Sequence, residues 1–447
     1  MKFSILAFLS FVLLISCSEE KTRDYTYLVN PLVGTGGHGH TYPGVCLPFG
    51  MMQVSPDTRL EGWDGCSGYH YSDSIIFGFS HTHLSGTGCS DYGDILLMPT
   101  TGPARCFNGY PDKVSEGYAS SFSHETEVST PGYYAVVLDN YQIKAELTAT
   151  QRAAMHKYSY PENAQKNIIV DLAHRDEVIE SELKIINQNT LEGYRRSKAW
   201  ATDQIIYYHI EFSEPIIQSG IFVNDTIQTG KDIKGKNLIA YFSFNPNSNE
   251  PILVKIGISQ TSIEGAKLNL SKEITCNDFD KYVKNAQNTW NKTLSKVDAY
   301  GDSTTLANFY TALYHSYLAP NLANDYDGRY RGMDKKNHTA NHNYYTVFSL
   351  WDTYRALHPL MSILEPEESN NFVKTFLLMY KQGGLLPVWE LSSNETFCMI
   401  GYHAVSVIYD LFQKGINDYD KKLAFEAMKN SAMQDHYGLS SLKNNGY

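Results

Sequence analysis

The spacing of apolar residues changes once along this 447-residue chain, and that change restricts the fold more than any other feature. From residue 24 to 265 the pattern is that of strands. Tyr133–Leu138 and Tyr141–Ala149 flank Asp139-Asn140, a hairpin signal. Ile143, Ala145, Leu147 and Ala149 alternate with Gln142, Lys144, Glu146 and Thr148, which predicts one buried face. Similar runs follow at Ile168–Leu172, Gln204–Phe212, Ile216–Val223, Leu238–Phe244 and Ile252–Ser259. Many strands with short turns and no helices between them predict an antiparallel β-sandwich over 24–265.

Near residue 277 the period becomes helical. Asn277–Val297 carries Tyr282, Ala286 and Trp290 at four-residue steps and reads as a linker helix within 277–300. From Ser303, Leu306, Phe309, Leu313 and Tyr317 share one helical face, closed by Pro320. Phe372–Lys381, Tyr402–Lys414 and Tyr419–Ala432 are further helix candidates, with Gly383-Gly384 and Gly415 where helix ends want them. Helices paired around loops rich in Trp, Asp, Glu and His suggest an α/α toroid. About four helices are predicted after residue 300, and a closed six-hairpin ring needs at least twice that number. The expected fold class is therefore β plus α, multidomain: an N-terminal antiparallel β-sandwich, then over 301–447 the first part of an incomplete (α/α)6 barrel.

Composition narrows the function. The chain is 42% hydrophobic, enough for a large core and two or more domains. Its net charge of −11 argues against nucleic acid as a partner. Tyrosine occurs 33 times; tyrosines line sugar and peptide sites, and they are also good strand residues. Residues 1–16 have Lys2 followed by an apolar run, a secretory signal too short to span a membrane. Its end, LLISC, resembles a bacterial lipoprotein signal with Cys17 as the lipidated residue, and Ser18-Glu19-Glu20 resembles a Bacteroidetes surface-export signal. The expected location is outside the cytoplasm, lipid-anchored to the outer membrane, with the membrane touched only through that anchor. Six further cysteines occur without a CxxC pair. Export permits disulfides, and their connectivity is open.

The densest functional stretch is Asn30–Asp94, crowded with Gly, aromatic, His and Asp residues. His38-Gly39-His40 and His81-Thr82-His83 have the spacing of metal ligands, but no third fixed ligand accompanies them. Histidines bonding a sugar or a backbone carbonyl are the favoured reading. Gly62-Trp63-Asp64-Gly65 offers a stacking plate beside a carboxylate, a sugar-binding pair or a turn with a buried Trp. In Trp351-Asp352-Thr353-Tyr354-Arg355, Asp352 is either a helix cap or a carboxylate held by Arg355 and presented to sugar hydroxyls. Glu390 and Glu395 lie among Trp389, Asn394, Tyr402 and His403. Paired carboxylates are the equipment of glycoside hydrolysis, set roughly 6.5–9.5 Å apart in inverting enzymes. Glu395 equally suits a sugar-hydroxyl acceptor or a charge at a helix N-terminus.

Together the stretches VNPLVGTGGHGHTYPG, GWDGCSGYHY, GFSHTHLSGTG, FSLWDTYR and NETFCMIGYHAVSVI resemble glycoside hydrolase family 92, calcium-dependent exo-acting α-mannosidases common in Bacteroidetes. The resemblance runs from about residue 25 to 447. It implies a β-sandwich packed on an (α/α)6 barrel, with inverting hydrolysis of terminal α-mannosides of N-glycans or mannan. Calcium would help distort the mannose ring. It also implies that Trp63, Asp64, Asp352, Arg355, Glu395 and His403 bind substrate. The family's acid, base and calcium-ligand motifs, of the types TEGNAW, HGNEPSHH and GNDDxGQMSAW, are not in this sequence. The expectation is thus that the catalytic groups and most calcium ligands lie after Tyr447. The chain would then be the inactive N-terminal portion of an α-mannosidase, with a non-catalytic mannose-binding module as the alternative. No catalytic residue is assigned within the chain, and its metal ligands stay unassigned.

Overall fold

The computed structural model describes residues 23–435 and 439–446. The expected signal segment 1–16 and the expected lipidation site Cys17 lie outside the described residues. Two antiparallel sheets face each other. The first has seven strands in the order Ser55–Asp57, Gly78–Ser80, Leu96–Thr101, Lys166–Asp171, Leu238–Phe244, Gln218–Val223, Thr226–Gln228. The second has nine, from Asp232–Gly235 through Glu177–Asn187, Thr190–Lys198, Gln204–Phe212, Ile252–Ser259, Ala153–Ser159, Ile143–Ala149 and Tyr133–Leu138 to Val128–Thr130. Alternating apolar residues point inward and meet in the middle. Phe212 of the nine-stranded sheet packs on Phe242 and Phe244 of the other, with ring centres 6.1 and 5.2 Å apart.

One strand departs from its pattern. In Ile143–Ala149 only Lys144 is exposed, and the polar residues Glu146 and Thr148 are buried with the apolar ones. The outer face of this sheet is covered by two helices, α1 (Ile263–Glu273) and α2 (Phe279–Leu294). Phe279, Tyr282, Leu270 and Ile274 pack there on Ala153 and Met155. Glu146 accepts from Tyr133 and Lys144, and Thr148 donates to the Gly132 carbonyl. Burial on both faces therefore costs no unpaired polar group.

The sequence pattern anticipates α2 but not α1. α1 buries only a narrow strip, Gly265, Ala266, Asn269 and Leu270, so its periodicity is weak. Its one local signal is Ser262, whose side chain accepts from the Gly265 amide as an N-cap. Tyr282, Ala286 and Trp290 are buried as their spacing predicts. Trp290 is fully buried, donates to the Cys46 carbonyl at 2.8 Å, and packs 4.4 Å from Tyr314.

The helical part follows as α3 (Ser303–His315), α4 (Leu350–Thr353), α5 (Leu357–Leu364), α6 (Pro366–Gly383), α7 (Ala404–Gln413), α8 (Lys421–Met433) and α9 (Leu439–Asn445). That is seven helices among the described residues after 300, not about four. α4 and α5 are too short to declare a period. Of the expected face, Leu313 and Tyr317 are buried and Leu306 packs partly on the core, but the buried stripe of α3 passes to one side of Phe309. Tyr310, Thr311, Leu313 and Tyr314 are buried, and Phe309 is 39% exposed. Tyr25 and Trp290 decide this, packing on Tyr310 and Tyr314. One core runs through sandwich and helices, and the chain halves also pair directly: Phe49 N donates to Tyr317 O, and Leu322 N to Phe49 O.

The helices do not close into a ring among the described residues. α7 and α8 leave Tyr409, Phe412 and Phe425 exposed around an apolar groove of about 560 Å³. No described helix is long and apolar enough to cross a membrane. The six described cysteines are all free thiols, and burial pushes those of Cys46, Cys89 and Cys106 up to about 12.

Candidate functional site

Trp63 and Asp64 sit on a single 3-10 turn, Trp63–Gly65, at the rim of the sandwich. Trp63 is 60% exposed, which removes the reading of a buried turn residue. Its ring meets the edge of His40 at 4.2 Å, and Asp64 bonds His38 Nδ1 at 2.9 Å. That bond, ahead of the cost of burial, lowers the Asp64 carboxyl below its usual range. His40 Nε2 is buried with no hydrogen-bond partner, an unspent group beside the indole.

Buried charge holds this turn. Arg175 Nη2 donates to the carbonyls of Gly65 and Cys66 at 3.0 and 2.7 Å, and its Nη1 lies 3.8 Å from Asp57. Burial alone would raise the Asp57 carboxyl, but His83 and His174 outweigh it and keep it below the ordinary range. Nearby, fully buried Asp94 takes Arg195 Nη1 at 2.6 Å and Thr82 Oγ1 at 2.7 Å. None of these supporting roles for Asp57, Arg175 or Arg195 has a signature in the sequence.

His81 and His83 face inward. Their Nδ1 atoms bond the carbonyls of Ile95 and Gln53, and His81 Nε2 meets His156. They serve the loop's own backbone, the role favoured for them over metal binding. Among the described residues no group of three or more His, Cys, Asp or Glu side chains is arranged to hold a metal ion.

The other expected residues gather on the helical side, in a different manner from that predicted. Asp352 is exposed within α4 and accepts from Ser349 Oγ. It does not cap the helix, and Arg355 does not hold it. Arg355 lies past the end of α4, stacked over Trp351 and Tyr354 at 4.5 and 5.1 Å, and donates to the Trp351 carbonyl. His403 stacks on the other partner, Tyr354, at 4.1 Å and nearly parallel. Burial, then Arg355, holds the His403 imidazole below its ordinary value.

The two glutamates lie on a small sheet, not a helix, which removes the helix N-terminal reading of Glu395. Trp389–Leu391 pairs with Asn394–Glu395 and places Glu390 opposite Glu395. Glu395 accepts backbone amides of Val388, Trp389 and Phe397 at 2.8, 2.8 and 3.0 Å. Glu390 is fully buried and takes Thr346 Oγ1 and the amides of Val347 and Ser393. Burial pushes its carboxyl up to about 8. Both carboxylates thus take protein donors on their oxygens.

The loop Leu84–Cys89 joins the two groups. Gly86 N donates to the His40 carbonyl at 2.7 Å, under Trp63. A side chain at Gly88 would stand 2.7 Å from Trp63 Nε1, so only glycine lets the indole lie there. On its other side the loop forms one wall of a cavity of about 150 Å³, Ser85-Gly86-Thr87 facing Ser349, Asp352 and His358. Leu84 and Cys89 also pack on Val347, Trp389 and Leu391. Of the six expected residues, only Asp352 lines this cavity. Ser85-Gly86-Thr87 lay within GFSHTHLSGTG, where their glycines were the available signal; His358 had none.

Residues 28–259 match the glycosyl hydrolase family 92 N-terminal domain, and 265–447 its catalytic domain. The fold resembles a family GH92 alpha-mannosidase from Bacteroides thetaiotaomicron at 38% identity and TM-score 0.90, over 93% of this chain and 57% of that one. That protein is also known in complex with mannoimidazole. A family GH92 inverting mannosidase from Bacteroides thetaiotaomicron VPI-5482 is similar at 30% identity and TM-score 0.86, over 96% of this chain and 59% of that one. An uncharacterized secreted glycosidase of Arthroderma benhamiae (strain ATCC MYA-4681 / CBS 112371) shares 27% identity over 98% of this chain and 57% of its own length. The chain thus spans less than two thirds of the length of these relatives. Both matched regions and the β-then-α architecture agree, and the chain belongs to glycosyl hydrolase family 92.

Proposed function

We propose that this chain provides the mannose-recognition wall of an exo-acting, inverting α-mannosidase and does not turn substrate over by itself. The observation that carries this is the loop Leu84–Cys89, which packs against the exposed Trp63 turn on one side and walls the Asp352 cavity on the other, in a chain related to α-mannosidases. Trp63 stacks on the sugar's apolar face. The carboxylates of Asp64 and Asp352 take its hydroxyls. Arg355 and His403, locked on Tyr354, set the outer edge, and Glu395 shapes it by clamping its own loop.

Inverting hydrolysis needs one carboxylic acid to protonate the leaving oxygen and one carboxylate to draw a proton from the attacking water. Glu390 and Glu395 are committed to backbone and Thr346, which supports inactivity of this chain alone. Calcium is implied by the family. The described donors do not form a cage for it, and no step here runs through it. Terminal α-mannosides of N-glycans or mannan are the proposed ligands. Export and lipidation at Cys17 are proposed on the N-terminal sequence, in line with a secreted relative.

The test is calorimetric titration of the chain with mannoimidazole and mannose, beside an assay on mannobiose with Ca²⁺. Saturable binding without turnover is expected. Turnover would overturn the claim of inactivity, and no binding heat would overturn the recognition role.

A further inference from the structure

A second cleft lies where the sandwich meets the hairpin of Arg329–Arg331 and Asn337–Thr339. It is a cavity of about 340 Å³ lined by Arg196, Asp203, Tyr207, Gln260, Arg331 and Lys335 among others. Three cations line it beside one carboxylate, Asp203, which only the two arginines contact. Arg196 Nε and Nη2 grip Asp203 at 2.7 and 3.0 Å. Arg331 Nη2 reaches the same carboxylate at 2.8 Å, and its Nη1 donates to the Asp203 carbonyl. Lys335 Nζ donates to Asn394 Oδ1 and the Ser393 carbonyl, both neutral.

Nearby acids do not restore the balance. Glu390 is buried and pushed up to about 8, so it is neutral through most of the physiological range. Glu180 is engaged by the Tyr194 hydroxyl, and Glu264 is exposed to solvent. Burial, then the charge of Arg331, pushes the Lys335 ammonium down to about 8. Arg196 Nη1 and the third proton of the Lys335 ammonium have no protein acceptor among the described residues. A cavity with surplus positive charge and unspent N–H donors is complementary to an anion with several acceptor oxygens.

We propose that this cleft binds a tetrahedral oxyanion, phosphate or sulfate, held by Arg196 and Lys335 and backed by Arg331. It stands independently of the mannose reading, since none of its residues lines the Asp352 cavity.

The experiment uses the whole chain, titrated calorimetrically with sodium phosphate and with sodium sulfate, ionic strength held constant with sodium chloride. One saturable site is expected, weakened about tenfold or more in R196M/K335M, with mannoimidazole binding unchanged. No saturable heat with either anion, or equal affinity in the double variant, would overturn the proposal. Should R196M/K335M not fold, broadening of the orthophosphate 31P resonance by the unaltered chain, reversed by sulfate, supports the site, and its absence overturns it. A hexose phosphate separates the two sources of the ligand. Tighter binding than orthophosphate assigns the group to a phosphorylated sugar, and equal binding assigns it to the free ion.

Discussion

The two walls of the candidate mannose site are built in opposite ways. On the sandwich side, Trp63 is exposed with Asp64 half-buried beside it, but the turn behind them hangs on Arg175, Asp57 and their buried histidines. On the helical side, Asp352 and Arg355 are exposed on a four-residue helix and the turn after it, and their partners are Ser349 and two aromatic rings. A buried charge network has few alternative arrangements, because every one leaves an unpaired charge out of water. Exposed pairs and ring stacks exchange with solvent at little cost. The sandwich wall is therefore preset, and the helical wall is adjustable.

The largest expected effect tests the preset side. Asp94→Ala leaves Arg195 uncompensated in the core and is expected to cost about 3–5 kcal/mol, whereas Asp352→Ala stays within about 0.5 kcal/mol. Urea denaturation of both variants measures this, and comparable losses would erase the contrast between the walls.

The next concerns pH. The Glu390 carboxyl is raised in the folded chain from 4.5 to about 8. Between those values the folded state holds a proton that the unfolded state has lost. Glu390 therefore contributes its full stability below pH 4.5, and that contribution drains away as the pH rises to about 8, by at most about 1.4 kcal/mol per unit. Glu390→Gln should flatten this slope in thermal melts taken across the interval. A slope unchanged in the variant would show that Glu390 does not carry it.

The smallest effect sharpens the comparison at the sugar itself. Trp63→Ala is expected to change stability by no more than about 0.5 kcal/mol and to weaken mannoimidazole binding about tenfold, or about 1.4 kcal/mol. His403→Ala removes only the stack on Tyr354, worth about 1 kcal/mol, and should weaken binding less than Trp63→Ala. Melting curves and calorimetry together separate the two, and a reversed order would make the helical wall the principal one.

Much of the architecture was legible because its signals are local. Gln204–Phe212, Leu238–Phe244 and Ile252–Ser259 form strands with the expected ends, since alternation is a property of neighbouring residues. α1 was not legible, because its narrow buried strip hardly departs from a polar loop. Phe309 was misplaced because a helix with apolar residues on two sides is turned by whatever packs on it, here Tyr25 and Trp290. The supposed Asp352–Arg355 pair failed for a similar reason: three-residue spacing brings side chains together only inside a helix, and α4 ends at Thr353.

The sequence by itself determined the order of sandwich and helices, the family, and the stretches in which the site residues fall. These follow from periodicity and from short motifs, both carried by residues close together in the chain. Only the tertiary structure decided what those residues do. It spent Glu390 and Glu395 on the backbone, turned His81 and His83 inward, and set Arg175 under the Trp63 turn, about as far along the chain as a domain is long. Burial and charge pairing act between residues distant in sequence, and no local pattern records which of them will meet.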